Sequence, residues 1–292
     1  MSSKGVSTVP RRQLGRSLRQ LRERAGMTLR AAAQQFEWSE TTMWRIETGK
    51  TPVRALDVQM MCGVYEADEA ATSALMDLAR EAKTPSWWQT FGDAVPVGFD
   101  VFAGLESAAS RIDTYESDVM PGLLQTPDYV RAIVRTRLPD APAEDVENRV
   151  RFRTARQAIL TGSRPPVLRA VLSETVLRRP MGDGPVMAAQ LAHLVYMAGL
   201  PSISIRVVPL AAAAHQGTFA GAFVVMHFPS PTGGIGEPTT VYGDTYTGGY
   251  YHDKEAEVAQ YTAAFEAIWS TAQDEDTSRG VLADTARSYQ GG

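Results

Sequence analysis

The sequence predicts an all-α N-terminal domain followed by an α+β C-terminal domain with a small β-sheet. Three observations predict it. Apolar residues recur at helical spacing through the first 66 residues. Branched and aromatic runs of strand length alternate with helical stretches later in the chain. A length of 292 residues also exceeds that of one typical domain. The reading assigns residues 1–66 to the helical domain, 67–86 to a helical linker, 87–272 to the α+β domain and 273–292 to a polar tail with frayed ends.

Each N-terminal helix has its own local signals. Over Gln13–Ala25, the residues Leu14, Leu18, Leu21 and Ala25 form one apolar stripe surrounded by Arg12, Arg16, Arg19, Arg22 and Arg24, and Gly26 supplies a stop. Thr28 caps a second helix running to Phe36, with Ala32, Ala33 and Phe36 facing inward. Ser39 caps a third helix, in which Met43 and Ile46 face the core and Glu47-Thr48-Gly49 ends the element. Pro52 opens a further segment whose Val53, Leu56, Met60 and Val64 suggest another helical stripe. The second and third helices are separated by Phe36-Glu37-Trp38, with Ala33 small enough for a close crossing. This is a helix-turn-helix arrangement, and it leaves the start of the third helix free to enter a DNA major groove about 12 Å wide.

Composition narrows the class. The chain is 44% hydrophobic and 21% charged, a balance that suits a buried core. Cys62 is the single cysteine, which excludes an intramolecular disulfide and a cysteine-based zinc cluster. Its neighbours Met60, Met61 and Val64 make it a buried, inert thiol. Met1–Pro10 lacks the apolar core of a signal peptide, and no run reaches the roughly 18 apolar residues of a membrane helix. A cytoplasmic protein with no membrane contact is expected. Residues 1–66 hold 11 Lys and Arg against 6 Asp and Glu, whereas the rest hold 18 against 27. That asymmetry points to a polyanion partner for the first part alone.

The blocks Leu14–Arg19, Arg24–Thr28 and Trp44-Arg45-Ile46-Glu47-Thr48-Gly49-Lys50-Thr51-Pro52 resemble the XRE group of helix-turn-helix domains, related to phage Cro and repressor proteins. The resemblance implies that Glu40, Thr41 and Arg45 face bases. Ser39, Thr42, Thr28 and Lys50 become backbone contacts or caps, and Arg16 and Arg30 phosphate contacts. Arg45 suits a bidentate contact to guanine. Glu40 has an equal claim as a complement to the helix dipole, and Trp44 either stacks on a sugar or groove wall or packs against a neighbouring helix. Two departures stand out: Leu29 where a DNA-contacting glutamine is common, and Glu37 at a turn position that is often glycine. The motif's usual two-fold geometry implies a homodimer on double-stranded DNA.

The body begins with a helical stretch over Asp68–Ala82, punctuated by Pro85. Helices are expected at Asp128–Thr136, Glu144–Leu160, Met187–Ala198 and Glu255–Ala272, and strands at Val167–Leu172, Ile203–Val208, Ala222–Phe228 and Thr239–Tyr242. Gly233-Gly234-Ile235-Gly236 reads as a loop rather than a phosphate cradle, since no P-loop lysine follows. Glu106, Tyr115-Glu116, the run Met120–Tyr129, Arg149, Arg153, Arg156-Gln157, Leu160, Glu174, Leu177-Arg178, Gln190-Leu191 and Val207-Val208-Pro209 look like the C-terminal domain of the actinobacterial WhiJ-like, antitoxin-like regulators. That resemblance implies regulation, often alongside a small protein encoded nearby.

The apolar turn Pro121–Tyr129 either anchors the domain by packing or, with Trp87, Trp88, Tyr115, Pro121, Leu124 and Tyr129, borders a ligand or partner surface. Catalysis is not expected. His193, His215, His227 and His252 lack metal-ligand spacing, and no metal or cofactor is expected. Glu106, Glu116 and Glu174 fit ion pairs with Arg149, Arg153 or Arg156 better than an acid cluster. The function expected is a sequence-specific DNA-binding transcriptional regulator whose C-terminal domain dimerises and responds to a signal. The alternative is an antitoxin-like interaction protein that binds a small partner and uses DNA binding for autoregulation.

Overall fold

The computed structural model describes residues 9–83, 87–95, 99–229 and 237–291. The expectations for Pro85 and for Gly233–Gly236 fall outside these residues. The chain divides into two compact units: residues 1–90 with 99–108 and 228–238, and residues 91–98 with 109–227 and 239–292.

The first unit is helical: α1 (Val9–Arg24), α2 (Leu29–Gln35), α3 (Glu40–Glu47), α4 (Ala55–Val64), α5 (Glu69–Glu81) and α6 (Phe99–Ala108). Thr28 Oγ1 accepts the Ala31 N–H at 3.1 Å and Ser39 Oγ accepts the Thr42 N–H at 3.1 Å, so both expected caps close on otherwise orphaned donors. Leu14, Leu18, Ala32, Ala33, Met43 and Ile46 pack into one core with Val58, Met61 and Cys62. The expected stripe of α4 is corrected here. Val53 is buried and Val64 packs against the core as expected, but Leu56 and Met60 are exposed and Val58, Met61 and Cys62 face inward in their place. An element apolar on nearly every side offers two stripes, and periodicity alone does not choose between them.

Glu37 adopts φ 56°, the left-handed region that glycine occupies without penalty. Its side chain is exposed. Glu37→Gly is therefore expected to stabilise the first unit by about 1 kcal/mol, since it removes the Cβ clash of that conformation. Slower amide hydrogen exchange across α2 and α3 is the measurement that checks it.

The second unit is a six-stranded mixed sheet with helices, the α+β arrangement expected. Its elements are β1 (Arg111–Glu116), α7 (Pro127–Arg137), α8 (Ala143–Gln157), β2 (Val167–Ser173), α9 (Glu174–Arg178), α10 (Gly184–Met197), β3 (Ile203–Val208), α11 (Gln216–Ala220), β4 (Phe223–His227), β5 (Thr240–Thr245), β6 (Gly248–His252), α12 (Glu255–Thr271) and α13 (Glu275–Gln290). The strand order is β3-β2-β1-β4-β5-β6. β1, β2 and β3 run parallel, linked by helical crossovers, while β4, β5 and β6 pair antiparallel. One sheet face buries Tyr115, Val171, Phe223, Val225 and Val241 against Phe265 and Ile268 of α12.

The residues expected as a polar tail form α13 instead. Asp274 caps it by accepting the Thr277 N–H at 2.8 Å, Leu282 and Ala286 are buried, and Ser278 Oγ accepts the β3 Val207 N–H at 2.9 Å. Three inward residues one turn apart are enough to dock a helix whose other faces are polar.

Candidate nucleic-acid interface

In the first unit α3 is held by its C-terminal half. Glu47 is buried and takes a two-pronged ion pair from Arg22 of α1, at 2.6 Å to Nε and 3.0 Å to Nη2. The remaining arginine donor, Nη1, reaches the Met27 carbonyl at 2.7 Å. Beside this pair α1 and α3 touch backbone to backbone, because a Cβ on Gly15 would lie 2.5 Å from the Ile46 carbonyl oxygen. Gly49 then turns the chain out of α3 at φ 68°, where a Cβ would meet the Arg12 backbone at 2.8 Å. Only glycine satisfies both demands.

With that end fixed, the start of α3 faces outward. Thr28, Arg30, Ser39, Glu40, Thr41, Arg45 and Lys50 are all exposed, and Thr42 is half-buried. Glu40 lies 4.0 Å from Arg30 Nε, a loose surface pair that water screens strongly. Among the described residues Arg45 makes no ion pair and its side chain no hydrogen bond. Its carbonyl accepts the Lys50 and Thr51 N–H groups, at 2.8 and 3.2 Å, which fixes the turn that carries Lys50.

The structure adds to the reading of two neighbours, Trp44 and Arg16. Trp44 is 45% exposed, not packed on a neighbouring helix, and Lys50 Nζ sits 4.2 Å above its ring. Sequence spacing of six residues hid that stacking, which the turn at Gly49 creates. Arg16 is the larger surprise. Its guanidinium and that of Arg12 both close on Glu237, Arg12 at 2.6 Å, and the Glu237 side chain is only 3% exposed. A phosphate contact by Arg16 therefore competes with an existing ion pair. Arg30, fully outward, carries no such constraint.

Of the residues expected to border a ligand or partner surface, two lie in the first unit and four in the second. Trp87 and Trp88 belong to the first unit, edge to face at 5.7 Å, and Trp88 packs beside Gly104. Tyr115, Pro121, Leu124 and Tyr129 belong to the second unit, and all four are buried. Tyr115 lies on the α12 face of the sheet, against His215 and Phe223.

The Pro121–Tyr129 turn is a hydrogen-bonded anchor. Gln125 Nε2 donates to the Met120 carbonyl at 2.6 Å, and the Met120 N–H donates to Tyr129 Oη at 3.2 Å. Gln190 of α10 donates to the Leu124 carbonyl and accepts the Thr126 N–H, both at 2.7 Å, while Gln157 of α8 donates to the Gln125 carbonyl at 2.6 Å. Buried turn backbone needs such partners, and glutamine side chains supply both a donor and an acceptor.

The ion pair expected for Glu174 forms with Arg178, one helical turn away, and not with Arg149, Arg153 or Arg156. Glu174 accepts the Leu210 N–H at 2.8 Å and also pairs with Arg178, and the two hold its carboxyl below the usual range. Glu116 meets the Thr114 hydroxyl at 3.4 Å. Among the described residues no group of three or more His, Cys, Asp or Glu is placed to hold a metal ion. No described helix is long and apolar enough to cross a membrane.

A helix-turn-helix domain family matches residues 13–75, the segment from α1 to α5. No curated protein and no solved structure matches the chain. The family described as a domain of unknown function, DUF5753, matches residues 99–284, which is more than half of the sequence. The chain therefore belongs to the DUF5753 family and carries at its N-terminus a helix-turn-helix domain of the DNA-binding kind.

Proposed function

We propose that the protein is a homodimeric, sequence-specific transcriptional regulator that sets α3 into the major groove, one copy per half-site. The observation that carries this reading is the outward polar face built by Thr28, Arg30, Ser39, Glu40, Thr41, Arg45 and Lys50 beside two capped helix starts. Exposed hydroxyls, helix N-termini and cations are the groups that grip phosphates, while Arg45 and Glu40 are long enough to address base edges. Arg45 is free to do so, since no partner within the described chain occupies it. The C-terminal domain serves dimerisation and response, in keeping with the WhiJ-like resemblance of its Pro-Gly-Leu-Leu-Gln-Thr segment. Homodimerisation follows from the two-fold arrangement usual for this motif.

Capture of genomic DNA fragments on the purified protein tests the reading. Enrichment of a sequence with two related half-sites, about one helical turn apart, is expected. Affinity for that sequence should fall steeply as salt rises, because bound phosphates release counterions. Unselective capture of fragments, or an affinity indifferent to salt, contradicts it. A small protein that co-purifies and displaces DNA would assign the antitoxin-like role instead.

A further inference from the structure

Two arginines of α1 stand beside the exit of α3 with an acid of the same chain already between them. Arg12 and Arg16 are four residues apart, so their side chains leave the helix from one face. A Cβ on Gly49 would lie 2.8 Å from the Arg12 backbone, and a Cβ on Gly15 would lie 2.6 Å from the Glu47 carbonyl oxygen. This stretch of α1 therefore lies against the last turn of α3 and the bend that leads to Lys50. Arg12 is a neighbour of the turn that carries that exposed cation, and Arg16 follows one helical turn later.

The acid is Glu237. Arg12 Nη2 reaches its Oε1 at 2.6 Å, and Arg16 Nη2 closes on its Oε2. The Glu237 side chain is only 3% exposed, whereas those of Arg12 and Arg16 are 21% and 27% exposed. The carboxylate thus lies inside, and an anion arriving from solvent meets the guanidiniums first. Two cations share one anion, which leaves the cluster with a net positive charge. Neither guanidinium is saturated, since among the described residues the Nε of each is buried with no hydrogen-bond partner. Glu237 also comes from an unusual place. Residues 228–238 join β4 to β5 but group with the first unit, away from the strands on either side of them.

We propose that Glu237 is a built-in substitute for a DNA phosphate, an autoinhibitory contact that holds Arg12 and Arg16 back from the duplex. It rests on the DNA-binding reading of α3. A carboxylate and a phosphate offer a guanidinium the same kind of charged oxygen, so they compete for it directly. Glu237 is tethered in the same chain and competes at high effective concentration. The affinity of the first unit for DNA therefore stays below what its own cations would give. A phosphate that recruits either arginine has to displace Glu237.

The test is fluorescence anisotropy of a fluorescein-labelled duplex of arbitrary sequence, titrated with the full chain over a range of salt. Phosphate contacts ignore sequence, so no operator is needed. Glu237→Gln is expected to bind at least about tenfold more tightly than wild type near 0.1 M salt, with a salt slope steeper by about one for each arginine released. Glu237→Asp keeps the charge but withdraws it by one methylene, and should tighten binding by a smaller factor. Adding Arg12→Ala and Arg16→Ala to Glu237→Gln should abolish the gain. Hydrogen exchange across α1 and α3 verifies that the variants are folded. A gain that survives the loss of both arginines is a general charge effect and overturns the proposal. If wild type binds and neither Glu237 variant binds more tightly, the proposal falls while the DNA-binding reading stands. If wild type and Glu237→Gln both fail to bind at low salt, the two fall together.

Discussion

Replacing Glu47 by alanine is expected to cost the first unit about 3–5 kcal/mol, a large share of the stability of a small domain. The Arg22 guanidinium would remain where it is, with the Met27 carbonyl as acceptor and Glu23 3.6 Å away at the surface. Its two bonds to Glu47, at 2.6 and 3.0 Å, would vanish inside a site where neither side chain exceeds 8% exposure. The cost is that of a stranded charge, not the intrinsic worth of the pair. Replacing both members together, Arg22→Met with Glu47→Leu, should therefore cost far less than Glu47→Ala alone. The two units need not unfold together, so a single melting curve is a poor reporter. Hydrogen exchange read by mass spectrometry separates them. Protection across α1 to α4 should fall by roughly two to three and a half orders of magnitude in Glu47→Ala, while β1 to β5 keep theirs. Unchanged protection in α3 would mean that the pair is solvated and that Gly15 packing alone holds the helix.

The helical half was legible because its signals are local. Thr28 and Ser39 cap the helices they precede, Gly26 and Gly49 turn out of theirs, and Leu14, Leu18, Met43 and Ile46 lie at helical spacing. What sequence could not order was α4, where apolar residues surround the axis. The β-rich half was harder for the opposite reason: its determinants are distant in sequence. β1 reads Arg-Ile-Asp-Thr-Tyr-Glu, a poor strand by composition. It is stabilised because the buried Asp113 meets Arg111, 2.5 Å away, and His227 of β4, 3.1 Å away. Nothing near Asp113 in the sequence announces His227. β6 begins with two glycines, and Gly249 is there because a Cβ would strike the Tyr242 ring at 2.1 Å. The pairing of Arg12 and Arg16 with Glu237 spans more than 220 residues and escapes any local reading.

The candidate site follows the same division. Every residue that the family resemblance placed on the DNA-facing side lies at the surface or half-buried, and Arg16 among them has an acid partner. Of the residues grouped from the second half by proximity in sequence, Trp87 falls in the first unit and Tyr115 and Tyr129 in the second, because strands and crossovers bring together residues far apart in the chain.

Arg45→Ala is expected to abolish selective operator binding while leaving the fold intact. Each good bidentate contact from arginine to guanine discriminates by about 1–3 kcal/mol. In a two-fold complex the loss occurs in both half-sites, so about 2–6 kcal/mol, roughly thirtyfold to ten-thousandfold in affinity, is at stake. The structural cost is small because the side chain is exposed and unpaired among the described residues, and its carbonyl still accepts from Lys50 and Thr51. Lys50→Ala is the informative contrast. A phosphate contact carries no base preference, so its loss should weaken all sequences alike and reduce the salt slope by about one per contact. Titrating the recovered operator and single-base variants against wild type, Arg45→Ala and Lys50→Ala separates the roles. Wild type should discriminate at one position per half-site where Arg45→Ala does not, and Lys50→Ala should keep that discrimination at lower affinity. If Arg45→Ala binds the operator as wild type does, α3 does not read the groove through this residue. Base recognition would then have to come from Glu40 and Thr41, at the very start of the helix.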